Sequence, residues 1–390
     1  MAVCKMDGVK HIFTYAESLD GGGVERAQLR LARDWLAAGQ RVTLAVGCID
    51  GPLAAEIPEG LEIIRLGGTT FPALFRVPAI IRKTQPDIIF CPGSYYTSIA
   101  LWTRLRLGRS CPPIVSKVSN AMRRGDHMAL LGAGHAAWLR LHPLFLDRIV
   151  AMTDASARDV LETTRIDPSR CATIANPPAL PLPGATLEGL PPRYILGVGR
   201  LVRQKRWDRL LEAIPRLAER LPLVILGEGD QRAAIEARAA ALGIDVRLLG
   251  HSPDPMLAMR AAAVLALTSD FEGVPGVLRE ALSVGTPVVT TDSSPAVWEI
   301  VTSAALGTIV PTDDSGGLVK ALDWWLMPDA VRPAPVAPPG ADSALRYLAL
   351  FDSVLSGAPV PVWQSGTTEP HVVPIPQQTE PAVVSQTLIR

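Results

Sequence analysis

Residues 270–292 read DFEGVPGVLREALSVGTPVVTTD, with Glu272 and Glu280 eight positions apart. The stretch leaves a Gly/Pro turn, passes through a short helical pattern and ends in TPVVTTD, a run suited to a buried strand. Glu272 stands in the turn after another apolar run, AVLALTS, and Glu280 sits among Leu278, Ala281 and Leu282. A carboxylate on so apolar a helix face is costly unless something pairs with it. One acid at a helix start and a second further along are placed to hold hydroxyls, the second able to clamp the two hydroxyls of a ribose. The plainer alternative is a first-turn acid held by the helix dipole and a solvated face.

Outward from this stretch the pattern repeats. RYILGVGRL, LVILGEG, VRLLGH, AVLALTS and TPVVTTD read as strands, with WDRLLEAIPRLAERL and QRAAIEARAAALG as helices between them. The first half has HIFTYAES, RVTLAVG, DIIFCPG and PIVSKVS as strands, and ERAQLRLARDWLAAG and the stretch around PAIIRKTQ as helices. Buried strands alternating with helices predict an α/β chain with parallel, doubly wound sheets. The Pro/Gly-rich stretch 176–193 reads as a linker between domains 1–175 and 194–328. A second Pro-rich segment follows, then ADSALRYLALFDSVL, predicted as an amphipathic helix over 341–356. The Pro-rich tail, 357–390, is expected to be disordered.

The chain has 390 residues, 48% hydrophobic and 19% charged, which suits two domains with cores of their own. Lys+Arg and Asp+Glu are both 38, so bulk charge gives no attraction to nucleic acid. The five cysteines are scattered without CxxC spacing, against a disulfide framework or a zinc site. No secretory leader and no run as long as a membrane span is read, and the expectation is a soluble cytoplasmic protein.

Two further stretches carry charge or phosphate chemistry. LDGGGVERAQLRLA, 19–32, puts Gly21, Gly22 and Gly23 between a strand and a helix, where unshielded N–H groups suit a phosphate. A turn that needs only positive φ reads equally well. GVGRLVRQKRWDRLLEA, 197–213, places Arg200 and Lys205 in a strand–helix turn, where two cations can converge on a departing diphosphate. Arg203 and Arg206 beside them also fit a solvated basic loop. His127, His135 and His142 have no standard metal spacing. Residues 101–148 hold eight Arg/Lys against two acids, a cluster that suits an anionic membrane or an acidic lipid-linked acceptor, or a solvated face.

With these motifs in order, the sequence resembles the glycosyltransferases of the GT-B fold, in particular the retaining group called family 4. The resemblance is carried by GVGRLVRQKRWDRLLEAI, LVILGEGDQRAAIEARAAALGI, VRLLGHSPDP and SDFEGVPGVLREALSVGTPVVTTD, the glutamate pair being that group's E-x7-E motif. GGGVERA and ANPP extend it into the first half, while 60–150 match only in pattern. It implies two Rossmann-like domains facing a central cleft, with the last helix crossing back onto the first. Carried over, Arg200 and Lys205 would hold a donor diphosphate, Glu272 the donor sugar and Glu280 the ribose. Backbone amides of Gly273, Val274, Pro275, Gly276 and Val277 would surround the donor, with Gly22 and Gly23 approaching its phosphates from the other domain. Proline has no N–H, so Pro275 can contribute only position. Glu299 matches a further family glutamate, while the helix after SKVSN lacks a clear counterpart of the family's first-domain histidine, for which His127 is the candidate. The chain departs from the group at Val274, where an aromatic is usual, and at Gly276, where Asn is usual, which bears on sugar selectivity.

The resemblance implies sugar transfer, with retention, from a nucleoside-diphosphate sugar to a glycan or lipid-linked acceptor in surface polysaccharide or lipopolysaccharide assembly. No cofactor or metal is called for, no nucleic acid partner is expected, and a peripheral place on the inner face of the plasma membrane fits. A nucleotide-sugar epimerase or phosphorylase on the same fold, or a non-catalytic nucleotide-sugar-binding module, are the alternatives.

Overall fold

The computed structural model describes residues 8–119, 129–179, 187–252 and 254–361. His127, the middle of the 176–193 linker and the tail beyond 361 therefore lie outside the described residues.

The first sheet contains β1 (His11–Ser18), β2 (Arg41–Cys48), β3 (Glu62–Arg65), β4 (Ile88–Cys91), β5 (Ile114–Lys117), β6 (Arg148–Ala151) and β7 (Cys171–Thr173). Its helices are α1 (Gly23–Ala37), α2 (Val77–Thr84), α3 (Thr97–Leu107), α4 (Ala129–Leu141) and α5 (Asp154–Thr164). The second sheet contains β8 (Ile195–Val198), β9 (Leu223–Leu226), β10 (Val246–Gly250), β11 (Val264–Leu267), β12 (Val288–Thr291) and β13 (Gly307–Val310). Around it run α6 (Trp207–Ala213), α7 (Arg232–Leu242), α8 (Met256–Ala261), α9 (Gly276–Ser283), α10 (Pro295–Ile300) and α11 (Ser315–Leu326). The chain then returns as α12 (Ser343–Ser356).

All strand pairs are parallel, in the orders β3-β2-β1-β4-β5-β6-β7 and β10-β9-β8-β11-β12-β13. Both orders reverse beside the first strand of the sheet, so each is doubly wound with helices on both faces. The fold is thus the expected pair of α/β units. The structure adds β3, β6, β7 and β13, which the strand reading omitted; β3, β7 and β13 are edge strands and only partly buried, so they lack the fully apolar run of the central strands. It also shortens the helix read over 207–221. Pro215 has no N–H to give Leu211, and α6 ends at Ala213 in a tight turn, Ile214–Arg216.

α12 packs on the first domain. Trp35 of α1, Phe90 of β4, and Tyr347 and Phe351 of α12 share one buried cluster, with ring centroids 5.2–6.5 Å apart. Trp35 Nε1 donates to the Ala344 carbonyl at 3.3 Å. Trp35→Ala should cost about 3–5 kcal/mol, as buried Trp truncations do. Urea unfolding followed by the near-UV aromatic signal checks this, and a loss below about 1 kcal/mol contradicts the packing described.

Both connections between the domains pass one point. Ser343 Oγ donates to the Ala175 carbonyl at 2.6 Å, and a Cβ on Gly340 (φ +96°) would lie 2.2 Å from the Asn176 carbonyl oxygen. Lys117, fully buried at the end of β5, donates to Asn176 Oδ1 at 3.2 Å. Burial pushes its ammonium down to about 8.

Candidate functional site

In the second sheet the strand order reverses between β8 and β11, so the loops after these strands diverge and leave a crevice between them. The first of these loops is set by a close crossing of backbones. A Cβ at Gly227 (φ +147°) would lie 1.9 Å from the Gly199 carbonyl oxygen, so no other residue fits there without movement. Gly199 leaves room in turn for the Lys205 stem, which runs past it.

Lys205 Nζ donates to Glu272 Oε1 at 2.6 Å, and Ser269 Oγ donates to the same oxygen at 2.6 Å. Both charged side chains are largely buried, 14% and 11% exposed, so each is the other's compensation for lost water. The ammonium has three N–H donors, and one is used here. Glu272 Oε2 carries no hydrogen bond among the described residues. The two loops are also sewn together directly. Gln204 Nε2 donates to the Phe271 carbonyl at 2.7 Å, and the Asp270 N–H to the Gln204 carbonyl at 2.9 Å.

The basic residues of the first loop divide by role. Arg206, in the left-handed region at φ 49°, is held by Asp208 and Asp270, and those hydrogen bonds raise its pKa. Arg200 is exposed on the same loop, and it makes no ion pair among the described residues. Arg206 is thus a paired surface cation, while Lys205 is the cation joined to Glu272 across the crevice.

α9 begins at Gly276 with Pro275 at its N-cap, so the N–H groups of Gly276 and Val277 point out of the helix without intrahelical partners, while the Leu278 N–H donates to the Pro275 carbonyl at 3.2 Å. A Cβ on Gly276 would stand in open space, so the missing Asn side chain of the family pattern leaves room at that point. Gly273 and Val274 line a cavity between the domains, opposite Val118 and Ser119 after β5 and Ser156 of α5. Ser294 lines it too, and its buried hydroxyl has no hydrogen-bond partner among the described residues.

Glu280 is one turn deeper and is not idle. Arg30 Nη1 of α1 lies 3.5 Å from its Oε1, across the domain boundary. One turn earlier on α1, Arg26 Nη2 is 3.1 Å from His251 Nε2. Burial first, and then Arg26, push the His251 pKa down. Glu299 also acts across the boundary: it accepts the Ala155 N–H at 2.5 Å at the start of α5.

Gly22 is the N-cap of α1 and Gly23 its first residue. The Glu25 carboxylate folds back over this end, and a Cβ on Gly22 would lie 2.4 Å from its Oε2. An anion approaching these amides must therefore share the helix end with Glu25, which the reading of a bare phosphate cradle did not include.

The structure joins Lys205 to Glu272 across the β8/β11 crevice, with Gly273 and Val274 following in the second loop; Arg30 of the first domain reaches Glu280, Arg200 is exposed on the loop after β8, and Gly22 and Gly23 stand at the start of α1. Arg30, His251 and Ser269 were missed by sequence reasoning. Ser269 had a signal, three positions before Glu272; Arg30 and His251 had none, because their partners lie 250 and 225 positions away. His142 is a core histidine, its Nδ1 within 3.0 Å of the Trp138 carbonyl. Among the described residues no three His, Cys, Asp or Glu side chains cluster as a metal site.

Comparison with known proteins agrees with this fold. Residues 184–332 match the family described as Glycosyl transferases group 1, and residues 21–181 match Glycosyltransferase Family 4. The phosphatidyl-myo-inositol mannosyltransferase of Mycolicibacterium smegmatis is 30% identical over 342 residues, 81% of this chain and 84% of that one. A Campylobacter jejuni enzyme, N-acetylgalactosamine-N,N'-diacetylbacillosaminyl-diphospho-undecaprenol 4-alpha-N-acetylgalactosaminyltransferase, is 32% identical over 193 residues. That match covers 48% of this chain and spans only about half of the relative, 53%. Among solved structures, Anabaena HepE in complex with UDP and glucose superposes with a TM-score of 0.66 at 17% identity, covering 89% of this chain and 96% of that one. With two doubly wound sheets, charged loops at their reversal points and a relative matched along most of both lengths, the chain belongs to the glycosyltransferases of the GT-B fold.

Proposed function

We propose that the chain is a retaining family 4 transferase that moves a sugar from a nucleoside-diphosphate donor to a glycan or lipid-linked acceptor in surface polysaccharide or lipopolysaccharide assembly. The observation that carries this reading is the Lys205–Glu272 pair at the β8/β11 crevice, with Arg200 on the same loop and the start of α9 beside it. In this reading Lys205 gives its two remaining N–H groups to the donor diphosphate, and Arg200 closes on it from solvent. Charge that develops on the departing phosphate is then met by cations already in place, which lowers the barrier rather than the ground state. Glu272 Oε2 accepts from the donor sugar hydroxyls, and Glu280 exchanges Arg30 for the two ribose hydroxyls. The amides of 273–277 surround the sugar and phosphates, and Gly22 and Gly23 face them beside Glu25. In this account the positive charge comes from side chains and helix ends, with no cofactor in the roles named. The acceptor enters over the first domain.

Names of relatives support the acceptor class: one refers to a diphospho-undecaprenol and another to phosphatidyl-myo-inositol. No described helix is long and apolar enough to cross a membrane. Leu105 and Leu144, 69% and 79% exposed within the basic 101–148 segment, support peripheral contact with an anionic membrane.

Thermal unfolding with UDP, GDP, dTDP and ADP tests the donor site. A nucleotide at a hundred times its Kd adds about 2.7 kcal/mol, several degrees at roughly 2–4 °C per kcal/mol. One nucleotide should raise the midpoint, and Glu280→Ala should abolish the rise. A folded protein that responds to none of them, or a shift unchanged in Glu280→Ala, contradicts the reading.

A further inference from the structure

The loop after β12 lies beside the donor pair, yet the donor reading gives it no role. Two hydrogen bonds fasten it to the loop that carries Glu272. Thr291 Oγ1 donates to the Ser269 carbonyl at 2.6 Å, and the Glu272 N–H donates to the Ser293 carbonyl at 2.9 Å. Whatever this loop and α10 present is therefore held in a fixed relation to the Lys205–Glu272 pair.

What they present is Trp298. It is 49% exposed, yet its ring is held, the indole Nε1 donating to Asp292 Oδ1 at 3.0 Å. Asp292 is anchored in turn, its N–H donating to the Val310 carbonyl at 2.8 Å, and its Oδ2 carries no hydrogen bond among the described residues. Fixing an exposed aromatic side chain costs rotamer freedom and returns little burial. Trp298 stands three positions after Pro295, so it continues the helix face whose first residue lines the cavity between the domains. Ser294, before that face, is the N-cap of α10, where a serine hydroxyl ordinarily accepts from the first helical amides. It does not do so here: the buried hydroxyl lines the cavity with no hydrogen-bond partner among the described residues. A fixed apolar ring, a carboxylate oxygen and an unused hydroxyl complement a pyranose, which has an apolar C–H face and a rim of hydroxyls.

We infer that Trp298 and Asp292 form a second-domain platform for a neutral pyranose unit of a glycan acceptor, Trp298 stacking on the ring and Asp292 Oδ2 accepting from its hydroxyls. Ser294 Oγ continues the hydroxyl contacts into the cavity. The inference rests on the glycosyl-transfer reading and deepens it, since a glycan is then gripped by the second domain as well as the first. An anionic membrane suits the pair less well. The carboxylate at the edge of the ring repels its headgroups, and the neighbouring cation, Arg158, faces Glu299 at 3.9 Å.

The test uses the full chain, the methyl pyranosides of glucose, galactose, mannose and N-acetylglucosamine as probes, and saturation-transfer NMR. Calorimetric titration with UDP, GDP, dTDP and ADP runs in parallel. At least one pyranoside should bind the wild type. Trp298→Ala should weaken it by about tenfold or more, as loss of a central aromatic contact does. Trp298→Phe, which keeps a stacking ring, should lose less, and nucleotide binding should be the same in all three. No pyranoside signal in wild type, or an equal signal in Trp298→Ala, overturns the inference. So does a Trp298→Ala protein that loses only its flotation with phosphatidylglycerol vesicles. Pyranoside binding that depends on Trp298 in a protein that binds no nucleotide upholds the platform and defeats the donor reading alone.

Discussion

Lys205→Ala should lose on the order of 10²–10³ in turnover, the size of effect seen when a preorganised transition-state charge partner is removed. It should also lose stability, about 3–5 kcal/mol, because Glu272 is then left buried without its cation. The two losses have different causes and come apart in a second variant. In Lys205→Ala/Glu272→Ala neither charge is stranded, so most of the stability should return while turnover stays low. Urea unfolding gives the first quantity, and nucleotide release from the donor gives the second. A double variant as unstable as the single one means the pair is not mutually compensating. Near-normal turnover in either folded variant removes Lys205 from the chemistry.

Lys117→Met is expected to act in the opposite direction and stabilise the protein at neutral pH. The ammonium is fully buried, its neighbours are Asn176 Oδ1 at 3.2 Å, Glu25 and Cys91, and burial outweighs the favourable charge of Glu25. A fall from the ordinary 10.5 to about 8 means that charged Lys117 costs the folded state on the order of 3 kcal/mol. The sign follows from proton counting. Between pH 8 and 10.5 the unfolded chain holds a proton that the folded chain has released, so stability from this residue rises with pH across that window. Below pH 8 both states are protonated and the full cost is present. Replacement by Met also leaves Asn176 Oδ1 without its donor, so the net gain at pH 7 should be about 1–3 kcal/mol. The advantage over wild type should shrink as pH rises from 8 to 10.5. A variant that is less stable at every pH would show that the hydrogen bond to Asn176 outweighs burial of the charge. The cost of Lys117 falls where both connections between the domains meet.

The doubly wound class was legible because its evidence is local: apolar runs of strand length alternate with amphipathic helices, and each run was readable where it was long enough. EIIR, CAT and GTIV are partly buried edge strands and RIVA opens on a charge, so none shows a fully apolar run, and their pairing with β2, β5, β6 and β12 supplies what sequence period does not. Pro215 was visible but was outweighed by the apolar spacing of 207–221, and the missing N–H decided the helix end instead. In the site, Glu272 and Glu280 stood out as charges in a turn and on a face otherwise small or apolar, and Arg200 and Lys205 as cations in a strand–helix turn that they share with Arg203 and Arg206. What they touch was not legible. The Lys205–Glu272 bond spans 67 positions, and the Arg30–Glu280 contact joins two domains. Glu25 over Gly22 is the reverse case, a local contact hidden because a Gly-rich turn before a helix reads alike with or without a carboxylate folded onto it.

The account turns on donor chemistry at the β8/β11 crevice, and nucleoside-diphosphate release from a panel of nucleotide sugars tests that most directly. The wild type should release nucleotide from one donor class, and Lys205→Ala should slow that release on the order of 10²–10³-fold. If folded wild-type protein releases nucleotide from no member of the panel, or if Lys205→Ala releases it at the same rate, the crevice is not where the donor is cleaved.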